Sequence, residues 1–222
     1  MKILAHVPAR SGSKRLKSKN LLPMGGIPLI AHVIQAGLAS RHITDLYINT
    51  ESDIIAQVGS AYGAKVYKRD PLLAQDEVTQ DTFNFDFIKQ MRPDVLVLLN
   101  PVCPLIETQD IDEVLTSFLA GPYDAVVTTS DYQSFAMKSG EAINFNPHHI
   151  LPRTQDVPAV RLLNFAISAW RAEAFMAQFT SHGHACLLPR TLYYPLPKDK
   201  GIKISDAEDF KMAQAILALR GS

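Results

Sequence analysis

Thirteen residues near the start of the chain carry its densest chemistry. Pro8-Ala9-Arg10-Ser11-Gly12-Ser13-Lys14-Arg15-Leu16-Lys17-Ser18-Lys19-Asn20 holds five cations set among glycine and serine. Backbone amides of a Gly-Ser turn can take phosphate oxygens while neighbouring Lys and Arg side chains neutralise their charge. The segment therefore suits a polyanion such as a nucleoside triphosphate. Lys+Arg and Asp+Glu both number 22 and the formal net charge is zero, so the basic cluster is local. A general nucleic-acid binder, basic over a whole face, is not expected. The bland alternative is a solvated basic loop. Against it stands the loop's place directly after an apolar strand, where open α/β sheets bind ligands. Neither the GxGxxG of dinucleotide binders nor the GxxxxGK[ST] of P-loops is present.

The elements that must position this loop alternate along most of the chain. Residues 2–8 read as a buried strand, and the loop leads to an apolar-periodic helix over 28–39. Strands are expected at 45–50, 63–67, 94–99, 125–129 and 164–170. Helices are expected from a Ser52 or Asp53 cap through Ser60, over 79–90, over 110–119 and over 206–220. Ser205 is the expected cap of the last helix, with Glu208 at capping-box spacing. Successive βα units predict a Rossmann-like α/β fold: a mostly parallel sheet with helices on both faces. Residues 132–158 depart from this pattern, with short strands and a hairpin turn at Lys138-Ser139-Gly140-Glu141. They read as a small β-rich excursion, a lid or dimerisation segment within one domain spanning 1–222.

Cys103 and Cys186 make no disulfide framework. With no leader pattern and no long apolar run, a soluble, cytoplasmic protein without membrane partners is expected. His182, His184 and Cys186 fit no common closed zinc spacing, and His148-His149 is equally weak. His6, on an apolar strand, reads as a core histidine and Cys103 as a small buried thiol. Phe83, Phe85 and Phe87 read as helix core.

The loop sequence resembles the opening motif of the CMP-sialic acid synthetases, or acylneuraminate cytidylyltransferases. Asn49-Thr50-Glu51, Arg69 with Leu73-Ala74 and Asp76, Leu98-Leu99-Asn100-Pro101 with Pro104-Leu105, Arg153 with Gln155-Asp156 and Pro158, and Asn164 with Ala166-Ile167 follow in the family's order. Ile202 and Ile204, with Asp209 behind them, close the series. The resemblance implies a nucleotidyltransferase fold and a homodimer. It implies transfer of CMP from CTP to the anomeric hydroxyl of a nine-carbon 2-keto sugar acid, releasing pyrophosphate. Arg10 and Lys19 would contact the triphosphate as the catalytic cations. Ala9, Gly12, Ser13 and Lys14 would shape the phosphate loop, with Asn20 near the nucleotide and Arg69, Thr79 and Gln80 by the cytidine. Asn100, Gln155 and Asn164 would face the sugar acid.

Mg²⁺ is the cofactor the resemblance implies, and here the chain departs from the family. The Ile-Asp-Ile-Asp whose carboxylates hold the metal appears as Ile202-Lys203-Ile204-Ser205. Asp206, one place on, is the candidate substitute, although an acid there also suits a helix start. The family's Gln-Pro-Thr-Ser-Pro-Leu-Arg appears as Asn100-Pro101-Val102-Cys103-Pro104-Leu105-Ile106. Phe165 stands where a glycine is usual. Two other readings follow from these changes: a member that binds nucleotide or a partner without catalysis, and a nucleotidyltransferase for another sugar.

Overall fold

The computed structural model describes residues 1–12 and 16–220. Its elements in chain order are β1 (Ile3–Pro8), β2 (Pro23–Met24), β3 (Ile27–Pro28), α1 (Leu29–Leu38), β4 (Asp45–Thr50), α2 (Asp53–Ala61), β5 (Lys65–Lys68) and α3 (Gln80–Met91). Then follow β6 (Val95–Leu99), α4 (Thr108–Ala120), β7 (Ala125–Tyr132), β8 (Met137–Lys138), β9 (Glu141–Ala142), β10 (Val160–Arg171), α5 (Ala172–His182), β11 (Thr191–Pro195) and α6 (Ala207–Arg220). Seven strands form the central sheet in the order β11-β7-β10-β6-β1-β4-β5. All its pairings are parallel except the two that β10 makes, with β6 and with β7.

Strand alternation divides the core into two layers. Ile3, Ala5 and Val7 of β1, with Val95, Val97 and Leu99 of β6, face Ile30 and Ile34 of α1, Ile55 of α2 and Val114 and Phe118 of α4. Leu4, Leu96 and Leu98 face the other way, against Phe87 and Ile88 of α3 and Phe175 of α5. Helices thus cover both faces, as the sequence pattern predicts. Trp170 of β10 is fully buried, sits edge-on to Phe175 and donates its indole N–H to the Cys186 carbonyl at 3.0 Å.

The helix starts carry local signals. Ser52 Oγ accepts from the Ile55 amide, and Thr79 Oγ1 accepts from the Thr82 amide. Glu107 and Asp110 form a reciprocal capping box before α4. The final helix is capped one residue later than Ser205. Asp206 Oδ1 accepts from the amides of Glu208 and Asp209, while Asp209 Oδ2 accepts from those of Ser205 and Asp206. Two carboxylates satisfy four orphan amides at a positive helix end better than one hydroxyl would.

Residues 133–158 leave the sheet between β7 and β10. Ser139 and Gly140 both have positive φ, the geometry of a two-residue hairpin turn between β8 and β9. No helix among the described residues is long and apolar enough to cross a membrane.

Candidate active site

The strand order reverses beside β1: the chain builds outward through β4 and β5, then returns to place β6 on the other side. In doubly wound sheets ligands bind at the strand C-termini at this switch point. A cavity of about 420 Å³ opens there. Pro8 ends β1 at its floor, and Leu98 with Asn100, Pro101 and Val102 supplies the end of β6. Arg10, Gly12, Lys19 and Asn20 come from the basic loop, Arg69 from the end of β5, and Gln80 and Phe83 from the start of α3.

Arg69 is the buried charge of this site, only 3% exposed. Its Nε donates to Asn49 Oδ1 at 2.8 Å and its guanidinium lies 4.9 Å over the Phe83 ring. Burial draws its pKa down to about 10, with the Glu51 charge opposing that shift, so it stays cationic at neutral pH. Glu51 accepts from both the amide and the hydroxyl of Ser11 at 2.8 Å. Burial works against its charge, yet the Ser11 bonds and the Arg69 field leave the carboxyl below its usual value. Arg10 turns outward, donating to the Ala74 carbonyl and pairing with Asp76 at 2.8 Å. That pair is half exposed and contributes little to stability.

Lys19 opens a short 3-10 turn over Lys19–Leu21. Its Nζ donates to the Ile204 carbonyl at 2.7 Å, tying the loop to the segment before α6. Asn20 is buried; its Nδ2 donates to the Arg10 carbonyl, while Oδ1 has no partner among the described residues.

His6 lies under this site and is fully buried. Because Asn49 Oδ1 is taken by Arg69, the Asn49 amide N–H faces His6 and donates to Nδ1 at 2.9 Å. The imidazole is thereby held neutral. Burial first, then the Arg69 charge, pushes its pKa down to about 3. The folded value lies below the unfolded 6.5, so stability is fully present above pH 6.5 and declines as pH falls towards 3. At most about 1.4 kcal/mol per pH unit comes from this one group. His6→Gln is expected to flatten the acid side of a plot of melting temperature against pH between 6.5 and 4.5. An unchanged slope would remove His6 as its source.

Arg10, Gly12, Lys19, Asn20, Arg69, Gln80 and Asn100, all expected from the sequence, converge on the cavity. Ala9 sits beneath it, buried, its amide on the Asn49 carbonyl at 3.0 Å. Ser13 and Lys14 lie outside the described residues. Thr79 serves as the α3 cap. Asn164 does not reach the cavity: Thr128 Oγ1 and the Ala166 amide donate to its Oδ1, and its Nδ2 donates to Ser130 Oγ. Gln155 is exposed on the excursion, its carbonyl accepting from Gln133. Phe83 is a cavity residue that reads as core in the sequence. Its signal is helical spacing, three residues after Gln80 on one face of α3.

A family model for cytidylyltransferases matches residues 4–182. The chain belongs to the cytidylyltransferase family. Among relatives, the N-acylneuraminate cytidylyltransferase of Streptococcus agalactiae is 29% identical over 222 residues, covering 95% of this chain and 52% of that protein. The CMP-N,N'-diacetyllegionaminic acid synthase of Legionella pneumophila is 36% identical over 121 residues, half of each chain. The chain spans about half the length of the Streptococcus agalactiae relative. In fold it is similar to a CMP:2-keto-3-deoxy-manno-octonic acid synthetase solved with CTP: TM-score 0.73, 17% identity, 99% of this chain and 100% of that one covered.

The described residues do not make a magnesium seat. Mg²⁺ takes hard oxygen ligands, usually one or two carboxylates beside phosphate oxygens. No carboxylate lines the cavity among the described residues, and none of their His, Cys, Asp and Glu side chains gather in threes as a metal cluster. Asp206, the candidate ligand, spends Oδ1 on the α6 cap.

Proposed function

We propose that this chain transfers CMP from CTP to sialic acid or a related nonulosonic 2-keto sugar acid. The observation that carries this reading is the convergence of Arg10, Lys19 and Arg69 on a switch-point cavity, in a chain of the cytidylyltransferase family. The acceptor class comes from the relatives, which are named for N-acylneuraminate and diacetyllegionaminic acid.

In the transfer, the acceptor's anomeric hydroxyl oxygen forms a bond to the α-phosphorus. The bond from that phosphorus to the oxygen bridging to the β-phosphorus breaks, pyrophosphate leaves with the electron pair, and the hydroxyl proton passes to solvent. Such a displacement needs alignment and charge stabilisation rather than a protein nucleophile. Arg10 and Lys19 hold the triphosphate, and the Gly12 amide faces its oxygens. Asn20 Oδ1, unpartnered at the cavity wall, suits the exocyclic amine of cytosine. Arg69, Phe83 and Gln80 flank the base, and Asn100 stands on the acceptor side.

Pyrophosphate release from CTP, UTP, GTP and ATP, each with N-acetylneuraminic acid, a legionaminic acid or a sugar phosphate, tests the proposal. Release is expected only with CTP and a 2-keto acid. Release only with a sugar phosphate would replace the acceptor class. Binding of CTP without release from any pair would favour the non-catalytic reading, which the acid-free cavity also supports.

A cytoplasmic homodimer completes the proposal. The excursion and the neighbouring β10 expose Ile143, Ile150, Leu151, Leu162 and Leu163, an apolar surface suited to a second copy. Light scattering should report twice the mass of 24.5 kDa; a monomer would remove the dimer.

A further inference from the structure

Resting on the CTP reading, we propose that the Lys203 ammonium takes the place of a divalent cation at the triphosphate. The chain would then grip free CTP with side-chain charge and gain nothing from magnesium.

The donor set is the first argument. Three cations and no carboxylate line the cavity among the described residues, an arrangement that attracts phosphate and repels a metal ion. Two acids that follow Lys203 in sequence are engaged elsewhere. Asp206 and Asp209 each give one carboxylate oxygen to the amides that open α6, at 2.7 to 3.3 Å.

The placement of Lys203 is the second. The Ile204 amide donates to the Val102 carbonyl at 2.8 Å and its carbonyl accepts from Lys19 Nζ at 2.7 Å. Val102 and Lys19 both line the cavity, so the backbone next to Lys203 is fastened to its rim from two sides. Ile202 and Ile204 pack into one cluster with Met24, Leu29 and Leu105. Lys203, between them, is exposed. Its charge is felt, together with that of Lys19, at the buried thiol of Cys103 next to Val102. The backbone contacts of Ile204 thus hold Lys203 beside the cavity rim, and its charge acts on Cys103 within the same segment as Val102.

Charge balance is the third. Magnesium neutralises part of a triphosphate before it reaches the protein. A cavity whose charged lining, among the described residues, is Arg10, Lys19 and Arg69 interacts more strongly with the uncomplexed, more negative ligand.

CTP is titrated calorimetrically into the full chain, once in EDTA and once in excess magnesium. Binding in EDTA is expected to be as tight as in magnesium or tighter. Lys203→Ala should weaken binding in EDTA at least tenfold. Lys203→Asp should weaken it further there and recover at least tenfold on adding magnesium. Lys203 is exposed, so both variants should melt within a few degrees of the unmodified chain, and Lys203→Arg should recover part of the affinity that Lys203→Ala loses. A tenfold gain from magnesium in the unmodified chain overturns the proposal while leaving the CTP reading intact. Lys203→Ala binding as the unmodified chain does in EDTA overturns it as well. Failure to bind CTP in either buffer would remove the nucleotide reading, and this proposal with it.

Discussion

Lys19→Ala will raise the dissociation constant for CTP by about ten- to a hundredfold. A hydrogen bond to a charged group is worth about 1.5–3 kcal/mol, which corresponds to that range. Nζ now donates to the Ile204 carbonyl at the cavity edge, so the ammonium is already carried to where a phosphate would sit. Lys19→Arg keeps the charge on a wider, planar group and should recover part of the affinity. Stability should fall by up to about 3 kcal/mol, because the lost bond to the Ile204 carbonyl has a charged donor too. A calorimetric titration beside a thermal melt separates the two effects. An unchanged titration would detach the basic loop from the nucleotide site and take the proposed function with it.

The loop's place at the end of β1 is legible because its signals are local. Cations, Gly12 and a preceding apolar strand are adjacent in sequence, and strand-end placement follows from the βα alternation. β1, β4 and β6 were legible for the same reason: each is a short apolar run whose neighbours are helical. α5 and β11 were not read. α5 begins at Ala172, directly after Arg171 ends β10, so no turn residue separates the two. β11 is five residues long and pairs with β7 across a large sequence gap. The cap of α6 was read one residue early because Ser205 and Asp206 are both good cap residues. The choice rests on Asp209, which answers Asp206 from the third helical position. Long-range polar partners were the least legible class. Nothing in the sequence ties His6 to Asn49 and Asn49 to Arg69, yet that chain orients the buried Arg69 guanidinium of the cavity. Phe83 was read as core because an aromatic on an amphipathic helix is usually that. Its stacking partner Arg69 comes from a different βα unit.

Asn164→Ala will lower the melting temperature by roughly 10 °C while moving CTP affinity less than threefold. The Asn164 amide is a buried junction rather than a free contact. Its Oδ1 accepts from Thr128 Oγ1 at 2.7 Å and from the Ala166 amide at 3.0 Å, and its Nδ2 donates to Ser130 Oγ at 3.0 Å. Truncation strands three buried polar groups and leaves a void, a cost of about 3–5 kcal/mol. In a chain of this length each kcal/mol is worth about 2–4 °C. The space around the amide is tight: a Cβ on Gly201 would lie 2.5 Å from Asn164 Nδ2 and 2.4 Å from Ser130 Oγ. The junction holds a bulge at which the β10–β7 register shifts, between Leu163 and Ser168. Phe165 follows in the left-handed region at φ 52, a conformation that a bulky residue adopts only under constraint. Its carbonyl accepts from Asn100 Nδ2 at 3.2 Å, so the bulge positions the cavity residue on the acceptor side. The expected signature is therefore a stability loss with a raised acceptor KM and unaltered nucleotide binding. A raised acceptor KM at full thermal stability would instead mean that Asn164 touches the sugar acid itself. The bulge would then have to open for the acceptor, since all three of its polar bonds are now internal.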